Sequence, residues 1–256
     1  KLYWFITGKK NLLYSRGILV SGKNEVKMLK KTYVNMSGIK IHNVGYSFYL
    51  INKEKKVNYK NILYKKFPQL KNKKFFLFIG RIHNKKGCDI LLKAILKIKN
   101  LKNYCFLIAG FNVYKNEYEK YILDIIKKNK KLNDIVIATN FLQGGLKVSA
   151  IKLANATILP SRGENFGVSV VESIALSTIP LITNKVGLHK EIKRYNAGYV
   201  YNDDVRSISK MINNFINIEI KMLKIMKKNC LKCYNEVFNI KNKDNDLLKL
   251  FNKINI

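Results

Sequence analysis

Arginine, cysteine, acidic residues and long apolar runs are all scarce in this chain of 256 residues, and each scarcity closes off a class of function. No run of about 18 uncharged apolar residues occurs, so no transmembrane helix is expected. Lys9, Lys10 and Arg16 interrupt the apolar N-terminal stretch, which therefore does not read as a signal peptide. The only close cysteine pair, Cys230-x-x-Cys233, has the spacing of a zinc or redox half-site. No second pair or nearby histidine completes it, so these read as structural thiols in a reducing cytoplasm. Against 16 acidic residues stand 44 Lys and only 5 Arg, for a net charge of +33. Readers of bases and phosphates lean on the planar fork of Arg, so a specific nucleic-acid partner is not expected. The lysines are spread along the whole chain and read first as a solvated surface. An anionic membrane surface is the next reading, because such charge is drawn to acidic head groups. The expected location is the cytoplasm, with peripheral attachment at the inner face of a membrane.

What the chain has in quantity is alternation. From Phe75 onward, strands are expected at Phe75–Ile79, Tyr104–Ala109, Ile135–Ala138, Ala156–Leu159, Ile179–Thr183 and Gly198–Tyr201. Between and after them, helices are expected at Asp89–Lys99, Glu117–Asn129, Lys147–Leu153, Gly167–Leu176, Leu188–Tyr195, Val205–Phe215 and Ile218–Val237. Strand–helix alternation with short connections predicts an α/β fold: a Rossmann-like, doubly wound parallel sheet covered by helices on both faces. The first 74 residues offer only Gly17–Ser21, Lys40–Asn43 and the helix-like Asn24–Thr32. These are too few to close a second such domain. With a start at Lys1 rather than Met, they read as the tail of an incomplete N-terminal Rossmann-like domain in a fragment or processed product. Asn52–Lys74, rich in Lys and Asn, reads as a linker. The expected domains are therefore 1–74 and 75–256.

One segment is more informative than the rest: Pro160-Ser161-Arg162-Gly163-Glu164-Asn165-Phe166-Gly167-Val168, ending in a helix that carries Glu172. Loops at the carboxyl ends of parallel strands, opening into helix N-termini, are where open α/β sheets bind phosphorylated ligands. The backbone N–H groups of Asn165, Phe166 and Gly167 can point at an anion, and the two carboxylates suit hydroxyls. A second loop, after the first strand, runs Gly80-Arg81 to Lys86-Gly87 and forms a cationic rim suited to clamping a diphosphate. A third ends in Phe141-Leu142, where a base can lie. No Asp-x-Asp cluster stands at a strand end, so no metal site is expected, and Asp203-Asp204 reads as a helix N-cap. His42, His83 and His189 read as a strand-end, a rim and a packing histidine.

The ordered set Gly80-Arg81, Lys86-Gly87, Ala109-Gly110, Leu159-Pro160-Ser161, Glu164-Asn165-Phe166-Gly167 and Glu172 resembles the C-terminal half of a GT-B glycosyltransferase of family four. A lone Gly-Arg carries no weight; two glutamates separated by seven residues directly after Pro-Ser are specific. The resemblance covers about residues 75 to 200 and implies roles. Arg81 and Lys86 would bind the donor diphosphate, Glu164 the sugar hydroxyls and Glu172 the ribose. Gly80, Asn165, Phe166, Gly167 and Val168 would complete the donor site beside Phe141 and Leu142. Glu164, Arg81 and Lys86 would be the catalytic set. The chain departs from the pattern at Leu176-Ser177-Thr178, where the family shows Ala-Gly before the strand. The family's glycine-rich loop and acceptor-side His or Asp have no counterpart here.

The resemblance implies retaining transfer of a hexosyl unit from a UDP- or GDP-sugar to a saccharide or lipid-linked hydroxyl, in synthesis of a surface polysaccharide or glycoconjugate. The nucleotide sugar is substrate, and no cofactor is expected. A donor-binding fragment without turnover, an epimerase or phosphorylase of the same fold, and a basic binding protein are the alternatives.

Overall fold

The computed structural model describes residues 8–15, 17–20, 23–29, 39–43, 57–114, 116–239 and 252. The chain forms two compact units, one of residues 1–49 with 238–256 and one of Leu50–Val237. The boundary expected after residue 74 thus falls near Leu50, and the chain from Phe238 onward groups with the first unit.

In the first unit, α1 (Lys9–Leu13) precedes β1 (Ile18–Val20), α2 (Lys23–Leu29) and β2 (Ile41–Asn43). β1 and β2 pair in parallel, Ile18 opposite Ile41, so the βα-like pieces form one βαβ crossover. The last residues of the expected Asn24–Thr32 helix lie outside the described residues.

The second unit begins with α3 (Tyr59–Lys66), inside the stretch expected to be linker. Its N-cap, Asn58, accepts from the backbone N–H of Asn61 at 3.0 Å. Leu63, Phe67 and Leu70, spaced four and three residues apart, are all buried. That spacing puts them on one side of the chain and makes the segment part of the core rather than a tether.

The strands are β3 (Lys74–Ile79), β4 (Tyr104–Phe111), β5 (Val136–Asn140), β6 (Ala156–Leu159), β7 (Ile179–Thr183) and β8 (Tyr199–Tyr201). All pair in parallel, in the order β5-β4-β3-β6-β7-β8. The helices are α4 (Cys88–Lys97), α5 (Glu117–Lys128), α6 (Lys130–Ile135), α7 (Gly144–Leu153), α8 (Val168–Ala175), α9 (His189–Arg194), α10 (Val205–Ile216) and α11 (Ile220–Cys233). Of these, α6 was not expected, and α11 runs directly into a π-helical turn at Tyr234–Phe238, so the helix expected over Ile218–Val237 starts two residues later than expected.

The central strand β3 is buried on both faces, as a parallel strand between two helical layers must be. On one face Phe75 and Leu77 join Cys105 and Leu107 of β4, Leu63 of α3 and Ala150 and Ile151 of α7. On the other, the Phe76 ring stacks on Phe106 at 5.1 Å and meets Phe215 of α10 edge-on at 5.6 Å. The chain lays β4 and β5 to one side of β3, then β6, β7 and β8 to the other. This reversal leaves a crevice beyond the carboxyl ends of β3 and β6.

The departure at Leu176-Ser177-Thr178 proves to be a helix stop. Ser177 takes φ +60, where the family pattern has glycine. Its N–H donates to the Ile174 carbonyl at 3.1 Å, and that of Thr178 to Ser173 at 2.8 Å, which is the Schellman arrangement. The Ser177 hydroxyl donates to the Lys227 carbonyl of α11 at 2.9 Å. The helix end is kept, and it gains a contact to α11.

Candidate active site

The crevice between the loops after β3 and β6 holds a cleft of about 340 Å³. It is lined by Ile79, Gly80, Arg81, Lys86, Phe141, Leu142, Lys147, Glu164, Gly167, Val168, Ser169 and Glu172. Nine of the residues singled out from sequence therefore converge on one place. Asn165 and Phe166 do not line it, and the Phe166 side chain is buried in the core.

The two loops are stitched together. The backbone N–H of Arg162 and the hydroxyl of Ser161 both donate to the Lys85 carbonyl, at 2.8 and 2.7 Å. The Arg162 guanidinium donates to the Asn84 carbonyl at 2.6 Å and forks onto both oxygens of Asp89 at 2.9 and 2.6 Å. Tyr118 of α5 donates its hydroxyl to the same carboxylate at 2.8 Å. Gly87 completes the approach: at φ +72, a β-carbon there would stand 2.0 Å from the Pro160 carbonyl oxygen. These contacts set the spacing between Lys86 on one loop and Glu164 on the other.

Glu164 is tied at its backbone as well. Its N–H donates to the Lys185 carbonyl at 3.1 Å, and its carbonyl accepts from the Gly187 N–H at 2.8 Å. Its side chain accepts from the ammonium of Lys86 through Oε2. Glu172, on α8, accepts through Oε1 from the ammonium of Lys147 at 2.5 Å. Each carboxylate thus commits one oxygen to a lysine, and the other has no partner among the described residues. A glutamate so arranged keeps one oxygen able to accept from a hydroxyl donor without leaving its lysine.

Three cleft residues were not among the expected site residues: Ile79, at the end of β3, Lys147, in the first turn of α7, and Ser169, in α8. Lys147 follows the strand-end loop that carries Phe141 and Leu142, and the glycines at 144 and 145 were the available signal. Arg162 and Asp89 escaped as well, because an Arg–Asp pair 73 residues apart leaves no local pattern.

Burial alone would raise the Asp89 carboxyl, but the bonds from Arg162 and Tyr118 outweigh it and hold it below the usual carboxylate range. Since the folded group titrates below the unfolded one, Asp89 stabilises the fold at neutral pH. That contribution fades as pH falls below about 4. Thermal melts from pH 3 to 7 should show a shallower acid limb for Asp89→Asn than for the wild type. Parallel curves would mean that the pair does not stabilise the fold.

The other expected roles lie outside the cleft. Asp204 caps α10, accepting from the Ser207 N–H at 2.8 Å. His83 accepts from the Lys85 N–H at 3.2 Å, and Nδ1 of His189 lies 2.8 Å from the Val186 carbonyl. Cys230 and Cys233 are fully buried, and burial pushes both thiols up to about 12, the behaviour of structural cysteines. Among the described residues no helix is long and apolar enough to cross a membrane.

An open parallel sheet with this reversal and a cleft over its carboxyl edge is the doubly wound arrangement, and the solved structures that share this chain's fold are GT-B glycosyltransferases. The chain belongs to the family described as glycosyl transferases group 1, which matches residues 60–232. It is 29% identical over 140 residues to an uncharacterized glycosyltransferase of Methanocaldococcus jannaschii, covering 54% of this chain and 34% of that one. It is 30% identical over 113 residues to the O-antigen biosynthesis glycosyltransferase WclY of Escherichia coli, covering 44% and 29%. The match thus spans about a third of the length of these curated relatives. Among solved structures it is similar in fold to HepE of Anabaena in complex with UDP-glucose. The TM-score is 0.77 at 14% identity, covering 97% of this chain and 68% of that one.

Proposed function

We propose that this chain is the donor-binding part of an enzyme that moves a hexosyl unit from a UDP- or GDP-sugar to a saccharide or lipid-linked hydroxyl. Transfer proceeds with retention at the anomeric carbon, in the synthesis of a surface polysaccharide or glycoconjugate. One observation carries the reading: the loops after β3 and β6 bring Arg81 and Lys86 into one cleft with Glu164 and Glu172. Cations suit the diphosphate, and carboxylates suit the hydroxyls at its two ends. The UDP-glucose bound by HepE and the O-antigen role named for WclY support the donor class and the pathway type. The donor is substrate, and the proposal calls on no separate cofactor.

In this scheme Arg81 grips the diphosphate by its fork, and Lys86 adds a point charge beside it. As the sugar–phosphate bond breaks, charge grows on the leaving phosphate, and these two groups with the N-terminus of α8 stabilise it. Glu164 orients the sugar, Glu172 takes the ribose, and Phe141 and Leu142 cover the base.

Calorimetry with UDP and UDP-glucose, and with the guanosine pair, separates the roles. Arg81→Ala and Lys86→Ala should each weaken the nucleoside diphosphate by about 1.5–3 kcal/mol. Glu172→Gln should weaken both ligands, while Glu164→Gln should weaken only the sugar-bearing one. Equal effects of both glutamate variants on both ligands would defeat the assigned roles, and unchanged binding in all four variants would defeat the site.

A location at the inner face of a membrane is favoured by α11. It carries five lysines and no acid in 14 residues, with Ile220, Met222 and Ile225 exposed among them. Vesicles containing acidic phospholipid should collect the protein at low salt and release it as salt rises. Indifference to acidic lipid would remove the membrane from the proposal.

A further inference from the structure

The Lys147–Glu172 pair has no assigned purpose in the donor scheme, and its geometry supplies one. Glu172 has three side-chain torsions, projects from the short helix α8 and is the carboxylate assigned to the ribose. Left alone, a glutamate there samples several rotamers, and binding has to select one of them. Lys147 reaches it from the neighbouring helix α7 and donates to Oε1 at 2.5 Å. The Glu172 side chain is 11% exposed and that of Lys147 32%, so the contact is partly withdrawn from water. Oε2 is left without a partner among the described residues. The carboxylate is nearly buried and the ammonium a third exposed, so the pair both compensates a buried charge and fixes the direction in which Oε2 points.

We infer that Lys147 is a positioning residue for donor recognition. By holding Oε1 it aims Oε2 at the ribose hydroxyls, and so gives the cleft its selectivity for ribo- over deoxyribonucleotides. The inference rests on the donor reading of the cleft. Lys147 stands in the first turn of the helix that follows the Phe141-Leu142 loop. The side of the cleft assigned to the base therefore also sets the ribose contact.

The test compares UDP with 2′,3′-dideoxy-UDP, and the matching guanosine pair, on the wild type, Lys147→Met, Lys147→Arg and Glu172→Gln. The wild type should prefer the ribonucleotide by about tenfold or more, the worth of a hydrogen bond to a charged group. Lys147→Met should lose most of that ratio by weakening the ribonucleotide alone, as Glu172→Gln does, and Lys147→Arg should restore it. Lys147→Met leaves a nearly buried carboxylate without its cation, so the titrations are made at a temperature where thermal melts show every variant folded. An equal loss for both nucleotides would place Lys147 on the diphosphate and overturn the inference, as would an unchanged ratio. A wild type that binds UDP or GDP without preferring the ribose overturns the ribose assignment alone and leaves the diphosphate clamp standing. A wild type that binds no nucleotide overturns the donor reading itself.

Discussion

Alanine in place of Gly87 is expected to destabilise the protein by about 2–5 kcal/mol and to abolish binding of the nucleoside diphosphate. Two costs add. A side chain at φ +72 sits in the left-handed region, which costs an L-residue about 1–2 kcal/mol. The new methyl group would also stand 2.0 Å from the Pro160 carbonyl oxygen, closer than non-bonded atoms approach. That oxygen is backbone, so relief requires the loops after β3 and β6 to separate, with overpacking costs of about 1–3 kcal/mol. Separation moves Lys86 away from Glu164, and so the functional loss exceeds what the stability loss alone predicts. At roughly 2–4 °C per kcal/mol for a domain of this size, the melting temperature should fall by about 4–20 °C. Nucleotide titrations at a temperature where the variant remains folded separate the two effects. A variant that binds UDP or GDP as the wild type does would show that the contact between the loops does not build the site.

Leu63→Ala should be comparably costly, although residue 63 is remote in sequence from every motif. Leu63 is fully buried in the layer formed by α3 and α7, and truncating a leucine in such a place costs about 2.7–5 kcal/mol. Nucleotide binding at low temperature should survive, since no residue of α3 lines the cleft. A loss under about 0.5 kcal/mol would return the segment to the status of a linker, where surface substitutions belong. The signal for α3 was present in the spacing of Leu63, Phe67 and Leu70. It was hidden because Lys and Asn, which dominate the segment, are also what linkers are made of.

The inner strands β3, β4, β6 and β7 were readable because each is a short apolar run that the parallel sheet buries on both faces, and β3, β6 and β7 fall within one residue of their expected bounds. The helix α6 was not, because Leu132 is its one buried residue and a single apolar position has no period. At the site, residues directly following strands were legible, since topology alone delivers them to one edge. Lys147 and Ser169 were not, because they reach the cleft from helix faces and, unlike Val168 and Glu172, had no place in the donor site that the resemblance implied. Arg162 and Asp89 act across a gap that only folding closes.

In the terms of an ion exchanger, the cleft stands in its internal salt form. Lys86 and Lys147 already hold carboxylate counter-ions that are tethered to the same fold. A stray inorganic anion has to compete with a partner whose effective concentration is of the millimolar order or above. On the proposed function a nucleotide sugar would meet a different balance, because its hydroxyls would take the free oxygens of those same carboxylates while its phosphates approach Arg81 and Lys86. A chain of net charge +33 thereby keeps one cationic pocket from filling with whatever anion is at hand.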